Sequence, residues 1–172
     1  MVAPRLHLRP SAPARRWRSK KGDPPSEAAA REALGRSRGG LTTKLHALAD
    51  ALGNPVRLLV TPGQRGDVPF AAALVEGLGP LAVVADTAYD ATHFRARLAL
   101  TGAAAVILPS SSRALKPNYD ATLYRERNLV ERFFGRLNQN RRLATRYEKT
   151  AESYLGVLHV AAALDWIRHG LT

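Results

Sequence analysis

Residues 81–86 read Leu-Ala-Val-Val-Ala-Asp, and the reading of this stretch decides the fold. A short, wholly apolar run of this kind is the mark of a strand covered on both faces. Working upstream, Asp67 can cap a helix over residues 68–78, with Pro69 tolerated in its first turn. Before that helix, Thr43, Leu45, Ala47 and Ala49 alternate with Thr42, Lys44, His46, Leu48 and Asp50, which predicts a half-buried strand. Gly53-Asn54-Pro55 is turn chemistry and Val56 to Thr61 a second strand, so the two form an antiparallel hairpin ended by Pro62-Gly63. Downstream of residue 86, a helix is expected at about 91–101, then Ala104 to Leu108 as another buried strand stopped by Pro109. Residues 110–119 form a polar, basic loop. Asp120 caps a long helix reaching about Asn140, and residues 150–168 form a last helix. That helix is apolar nearly all round from Leu155 to Ile167, so it reads as buried against the sheet, with His159 a satisfied core or rim histidine. The order is that of an α/β fold in which a hairpin feeds a mixed sheet.

Composition bounds what such a fold can do. The 172 residues suit one domain with a tail, and 45% hydrophobic content marks it as globular. With no cysteine, disulfides, thiolate metal sites and cysteine nucleophiles are excluded. No uncharged apolar run reaches the roughly 18 residues of a membrane span, and the arginine-bearing N-terminus lacks the apolar core of a secretory signal. A soluble cytoplasmic protein with no membrane partner is therefore expected. The net charge of +12 is unevenly placed: residues 1–21 carry seven Lys/Arg and no acid, residues 22–112 are balanced, and residues 113–149 hold ten basic against four acidic side chains. This distribution points to a nucleic acid as partner, against the plainer reading of two solvated basic surfaces. Pro10, Pro13, Pro24 and Pro25 forbid a continuous helix before Ser26, so residues 1–34 read as a basic, Pro/Arg-rich, disordered arm. The glycine-rich loop from Gly35 to Gly40 carries Arg36 and Arg38 and could cradle a phosphate, although its spacing matches no nucleotide motif.

Two carboxylates stand out. Asp86 sits at the C-terminal end of the buried strand, the edge where open α/β sheets bind ligands, with low-dielectric protein behind it and solvent in front. Such a carboxylate suits a hard cation such as Mg²⁺; the plainer reading is a cap on the following turn. Glu131 is the second. Tyr124, Arg127, Glu131 and Asn138, at offsets of three, seven and fourteen residues from the tyrosine, fall within about 60° on one helical stripe. Leu123, Val130, Phe134 and Leu137 make a neighbouring apolar stripe, which puts Glu131 on the border of the buried face. Here the plainer reading is an i,i+4 ion pair with Arg127. Two such acids could hold a divalent metal, whereas two-ion phosphoryl transfer generally needs a third.

With these residues in view, the sequence resembles the DDE transposases of bacterial insertion sequences, IS-five type. The matching segments are residues 35–46 (Gly-Arg-Ser-Arg-Gly-Gly-Leu-Thr-Thr-Lys-Leu-His), 50–57 (Asp-Ala-Leu-Gly-Asn-Pro-Val-Arg) and 61–64 (Thr-Pro-Gly-Gln). They continue with residues 85–90 (Ala-Asp-Thr-Ala-Tyr-Asp), 124–134 (Tyr-Arg-Glu-Arg-Asn-Leu-Val-Glu-Arg-Phe-Phe) and 141–150 (Arg-Arg-Leu-Ala-Thr-Arg-Tyr-Glu-Lys-Thr). The resemblance implies a ribonuclease-H-like mixed sheet flanked by helices, Mg²⁺ or Mn²⁺, and DNA strand cleavage and strand transfer. It makes Asp86 the second catalytic aspartate and Glu131 the catalytic glutamate, both as metal ligands. DNA contact is expected of Tyr124, Arg127, Asn138, Arg141, Arg142, Arg36, Arg38 and Lys44. Asn138 stands where the family has a lysine, so that position keeps a hydrogen-bonding group and loses a charge.

The family's first aspartate belongs on a strand upstream of the Gly35 loop, where residues 1–22 contain no acid. The core, residues 35–172, is thus expected to be partial, its first strand missing or replaced by the arm, as a shifted reading frame would produce. The leading reading is a transposase core that is inactive alone and is completed by an upstream transposase fragment carrying the missing acid. Its partners would be the DNA of the element ends and target, with a homo-oligomer assembling on that DNA in the bacterial nucleoid. The alternatives are a non-catalytic DNA-binding relic or regulator of transposition, and a basic structural protein that binds RNA in an assembly.

Overall fold

The computed structural model describes residues 3–6, 29–37 and 40–169; Arg38 and most of the segment read as an arm lie outside them. Strands β1 (Ala3–Leu6), β2 (Gly35–Ser37), β3 (Gly40–Ala49) and β4 (Pro55–Pro62) form one sheet, in which β3 pairs with each of the others. Strands β5 (Ala82–Ala85) and β6 (Ala104–Ile107) form a separate two-stranded sheet. The expected single mixed sheet is therefore two sheets, an antiparallel hairpin region and a parallel pair, with no ladder joining them among the described residues. The architecture is mixed α/β. A short strand, β1, stands inside the segment that composition marked as an arm, at a sheet edge, where proline is tolerated. No helix among the described residues is long and apolar enough to cross a membrane.

The chain divides into two compact units. The first comprises Met1–Arg5, Ala47–Arg57 and Gly66–Phe133. Its parallel pair runs in register from Ala82 opposite Ala104 to Ala85 opposite Ile107, and all four residues of β5 are buried, as their unbroken apolarity requires. The crossover between them is α2 (Thr92–Leu100), which buries Phe94 and Leu98. Helix α1 (Val68–Val75) buries Ala71, Leu74 and Val75, and its last carbonyls are satisfied by Arg57, whose Nη1 donates to the oxygens of Ala73, Leu74 and Glu76 at 2.7, 3.1 and 2.9 Å. The expected cap is absent here: the Asp67 side chain makes no capping bond to α1. A proline in the first turn already sets the backbone for the helix start. The hairpin turn is closed by Asp50, whose Oδ1 accepts the N–H groups of Leu52 and Asn54, both at 2.9 Å. Gly53 adopts φ +85° in that turn, with Leu129 so near that an added Cβ would lie 3.3 Å from its own.

Asp90 ties the ends of the parallel pair together. Its carboxylate is fully buried; Oδ1 accepts from Arg95 Nε at 2.7 Å, and Oδ2 from the Ser110 N–H at 2.7 Å and Arg113 Nε at 3.0 Å. Arg95 also donates through Nη2 to the Ile107 carbonyl at 2.9 Å. Burial by itself would raise the Asp90 pKa, but the Ser110 hydrogen bond and the two guanidinium groups outweigh it and hold the carboxyl below its ordinary value.

The helix expected from Asp120 to Asn140 is broken into parts. Asp120 does cap it, its Oδ1 accepting from the N–H groups of Thr122 and Leu123 at 2.8 and 2.9 Å. The parts are α3 (Ala121–Tyr124), a 3₁₀ turn (Arg125–Arg127) and α4 (Asn128–Gln139). No residue of α3 or of the 3₁₀ turn is buried, and helical stability in proteins comes mostly from packing. Only from Val130 onward, with Phe133, Phe134 and Leu137, does an apolar face hold the α-helix.

The second unit comprises Leu6–His46, Leu58–Arg65 and Phe134–Thr172. In it β2 and β3 are antiparallel, Gly35 opposite Thr42 and Ser37 opposite Gly40. From Leu45 to Ala49 β3 is buried without interruption, so the expected half-buried alternation ends midway. His46 is fully buried, its Nε2 2.8 Å from Thr61 Oγ1. Helices α5 (Arg141–Thr145) and α6 (Ala151–His169) complete the unit. Arg146, with φ +46° just after α5, is its polar centre. The guanidinium donates through Nη2 to the Glu32 carbonyl at 2.7 Å and through Nη1 to Thr43 Oγ1 and the Ala33 carbonyl, and it lies 5.1 Å from the centre of the Tyr154 ring. Burial lowers the Arg146 pKa from its ordinary value, while burial pushes Tyr154, whose hydroxyl donates to the Leu143 carbonyl at 2.9 Å, up to about 12.

Helix α6 departs from the expected all-round burial. It buries Tyr154, Leu158, Ala162 and Asp165 on one stripe, whereas Val160, Leu164 and Ile167 are exposed, Val160 and Ile167 each by 62%. His159 is exposed as well, not a core histidine. The buried stripe ends in a fork: Asp165 accepts from Arg136 Nε at 2.6 Å and Nη2 at 2.7 Å. Asp165→Ala is expected to cost about 1.5–3 kcal/mol, the range for hydrogen bonds to a charged group, read as a fall in the urea midpoint at unchanged slope.

Asp90→Ala strands two half-buried arginines and is expected to cost about 3–5 kcal/mol. The wild-type chain gives the pH counterpart. Because the folded-state pKa of Asp90 lies below the unfolded one, the unfolded chain takes the proton first. The contribution is complete above about pH 5 and is lost as pH falls through the folded-state pKa. Denaturant midpoints measured from pH 6 downward should decline more steeply in the wild type than in the Ala variant.

Candidate functional site

The first unit carries the two acids singled out in the sequence. Asp86 follows β5 directly, at the C-terminal edge of the parallel pair, and begins a 3₁₀ turn, Thr87–Tyr89. Its backbone is extended and its Oδ1 accepts from the Ala88 N–H at 2.8 Å. The plainer reading of Asp86 as a cap is thus realised. The cap uses one carboxylate oxygen and leaves the half-exposed side chain at the sheet edge.

Glu131 lies in the first turn of α4. Arg127 reaches it across one turn, Nη1 to Oε1 at 2.6 Å, and the same guanidinium stands 5.6 Å from the centre of the Tyr124 ring. The 3₁₀ turn explains the second contact, because residues three apart eclipse one another in that geometry. Tyr124 in turn meets Tyr119 edge-on, ring centres 5.4 Å apart. Tyr124, Arg127 and Glu131 therefore do form one side-chain chain, as their spacing predicts. Helix α3 packs against both β5 and β6, and the 3₁₀ turn against β5, so the segment leading into Glu131 lies on the strands whose edge carries Asp86.

The other described candidates belong to the second unit. Asn138 is exposed on α4. Arg141 and Arg142 are exposed at the start of α5, where Asn140 Oδ1 accepts from the Arg142 N–H at 3.2 Å and Arg142 Nε donates to Glu148 Oε1 at 2.9 Å. Arg36 is exposed on β2, and Lys44 on β3 donates to the Arg65 carbonyl at 2.8 Å. Arg38 lies outside the described residues.

Sequence reasoning missed Asp90 and Tyr89. Asp90 sets the shape of the edge that presents Asp86, and its partners Arg95 and Arg113 are five and twenty-three residues away, which no local pattern links. Tyr89 is fully buried, with its ring 6.4 Å from that of Phe94, and its hydroxyl has no hydrogen-bond partner among the described residues. Burial first, then the negative charges of Asp67 and Asp86, push its pKa well above the ordinary phenol value.

Carboxylate oxygens are the donors a hard divalent cation takes, and Mg²⁺ commonly uses one or two of them with water and substrate phosphates. Asp86 and Glu131 fit one such ion by donor type. Among the described residues no three His, Cys, Asp or Glu side chains gather where they could hold a metal, so the donors fall short of a two-ion set.

The family described as "Transposase DDE domain" matches residues 83–168, a span that takes in most of β5, with Asp86, β6 and Glu131. A candidate transposase for insertion sequence element IS6501 from Brucella ovis is 46% identical over 130 residues, covering 74% of this chain and 100% of that protein. Among solved structures, the cryo-EM structure of the piggyBac transposase synaptic complex with hairpin DNA matches with 13% identity and a TM-score of 0.39. That match covers 67% of this chain and 24% of the other, so the chain spans about a quarter of that transposase, and a score of this size does not establish a shared fold. The domain match over half of the chain and the identity across the whole of the Brucella protein do establish kinship: the chain belongs to the transposases with a DDE domain.

Proposed function

We propose that this protein is the catalytic-core portion of a DDE transposase of the IS-five type, with a ribonuclease-H-like fold, acting in metal-dependent cleavage and transfer of DNA strands. Membership of the family assigns it to DNA transposition. The observation that carries the catalytic reading is Asp86, held at the open edge of a buried parallel strand in the same compact unit as Glu131. In this reading Asp86 and Glu131 hold Mg²⁺ or Mn²⁺. A bound ion would favour deprotonation of the attacking water or hydroxyl and offset charge on the leaving oxygen. Arg127 positions the glutamate and, with Tyr124, faces the DNA backbone. Asn138, Arg141, Arg142, Arg36, Arg38 and Lys44 take phosphates elsewhere along the element ends and target.

Two carboxylates serve one ion. Full activity in this reading needs a further acid, supplied by an upstream transposase fragment, and a homo-oligomer assembled on nucleoid DNA. A second reading, a DNA-binding relic or regulator without catalysis, draws on the 2.6 Å Arg127–Glu131 pair and the Asp86 cap, since both acids also have structural work.

Salt-dependent DNA binding is common to the two readings; cleavage separates them. Strand cleavage of DNA bearing the element ends, by the chain with an upstream fragment added, should require Mg²⁺ or Mn²⁺. It should fall by orders of magnitude in Asp86→Asn and Glu131→Gln, with Asp86→Asn retaining the fold because asparagine caps as well as aspartate. Cleavage that survives in both variants would sink the assignment, and a chain that binds DNA and never cleaves it would favour the regulator. In binding isotherms at several salt concentrations, Arg141→Ala and Arg142→Ala should each reduce the log–log slope by about 0.9 for every phosphate contact removed.

A further inference from the structure

We propose that Arg127 makes cation binding at Glu131 depend on DNA. Without DNA the arginine holds the glutamate carboxylate itself; a DNA phosphate that draws the guanidinium away frees that carboxylate for a divalent ion. The inference rests on the metal-dependent reading above and deepens it by assigning its regulation. Arg127 Nη1 stands 2.6 Å from Glu131 Oε1, with 24% of the arginine side chain and 32% of the glutamate side chain exposed. A carboxylate so paired has its charge offset, and a cation approaching it meets a guanidinium of like sign. Metal and arginine therefore compete for one group.

The setting makes the pair exchangeable. The Asp90 carboxylate is 0% exposed and sealed from any competitor, whereas both members of the Arg127–Glu131 pair reach solvent. Arg127 belongs to a 3₁₀ turn that, like α3 before it, buries no residue, so its side chain can be redirected without opening a core. A 3₁₀ stretch between α-helical segments is a common place for such an adjustment. The guanidinium also lies 5.6 Å from the centre of the Tyr124 ring, a contact that supports the cation when the carboxylate is given up. Arg125 and Arg132, exposed on the same segment, add to the positive field that attracts a phosphate. Arginine takes a phosphate with the same planar fork it offers a carboxylate. The exchange leaves every charge paired, guanidinium with phosphate and carboxylate with the divalent ion. DNA and cation thus bind with positive coupling, each raising the other's affinity by the same factor.

The test follows the side-chain carboxyl carbons of Asp86 and Glu131 by ¹³C NMR in the full chain as Mg²⁺ is added, with and without a short DNA duplex. Before any Mg²⁺ is present, DNA is expected to move the Glu131 carboxyl carbon and the Arg127 Nε resonance together, a readout that needs no substitution. DNA that binds and leaves both in place overturns the proposal. In the DNA-free protein, Arg127→Gln is expected to tighten Mg²⁺ binding at Glu131 about three- to fivefold, the size of effect that a partly exposed ion pair exerts. Arg132→Gln, which removes a like charge from the residue next to Glu131, should change it by less than about twofold, because solvent screens an exposed charge. DNA should tighten Mg²⁺ binding in the wild type by a larger factor than in Arg127→Gln. If Mg²⁺ moves the Glu131 carbon but Arg127→Gln binds it like the wild type, or no better than Arg132→Gln, the proposal falls and the metal-dependent reading stands. If neither carboxyl carbon responds to Mg²⁺ with DNA or without it, both fail.

Discussion

A single buried carboxylate, Asp90, organises the edge of the parallel pair on which the candidate site depends. A fully buried anion would be prohibitive unless compensated. The compensation comes from three places: Arg95 on the crossover helix, Arg113 in the following loop, and the Ser110 N–H just after β6. Because Arg95 also holds the Ile107 carbonyl, the turn after β5 and the loop after β6 leave the sheet in a fixed relation. The geometry of Asp86, four residues before Asp90, is a consequence of that arrangement and not of its own cap alone.

Asp86 and Glu131 each have a local structural use beside the proposed catalytic one. Asp86 caps a 3₁₀ turn and Glu131 accepts from an arginine one helical turn away. Both uses fix the side chain, as the proposed ligand role would require. The same economy is visible in Arg127, whose guanidinium meets a carboxylate and an aromatic face at once.

The second unit shows a different solution to burying charge. Arg146 spends its guanidinium largely on backbone carbonyls of residues 32–33 and on Thr43, so a half-buried cation ties that segment to β3. Planarity and several fixed donors make arginine suited to this role where lysine would not serve. Helix α6 packs one narrow stripe in that unit and leaves an apolar stripe on its other side exposed.

Elements with unambiguous local signals were legible in the sequence. Of the apolar run before Asp86, Ala82 to Ala85 became a strand buried along its whole length while Leu81 stayed exposed, the turn at Gly53-Asn54-Pro55 joined two strands, and Asp120 capped its helix. The spacing of Tyr124, Arg127 and Glu131 foretold their mutual contact, because i,i+3 and i,i+4 neighbours meet whatever the rest of the chain does. Tertiary structure alone decided the rest. The long helix took a 3₁₀ turn over Arg125–Arg127 ahead of its buried face, and the last helix kept only one buried face although its composition is apolar nearly all round from Leu155 to Ile167. Asp67 ceased to be a cap, and the expected single sheet became two. These outcomes turn on which surfaces meet across long stretches of chain. Composition and periodicity describe what a segment can bury, whereas only packing determines what there is to bury it against.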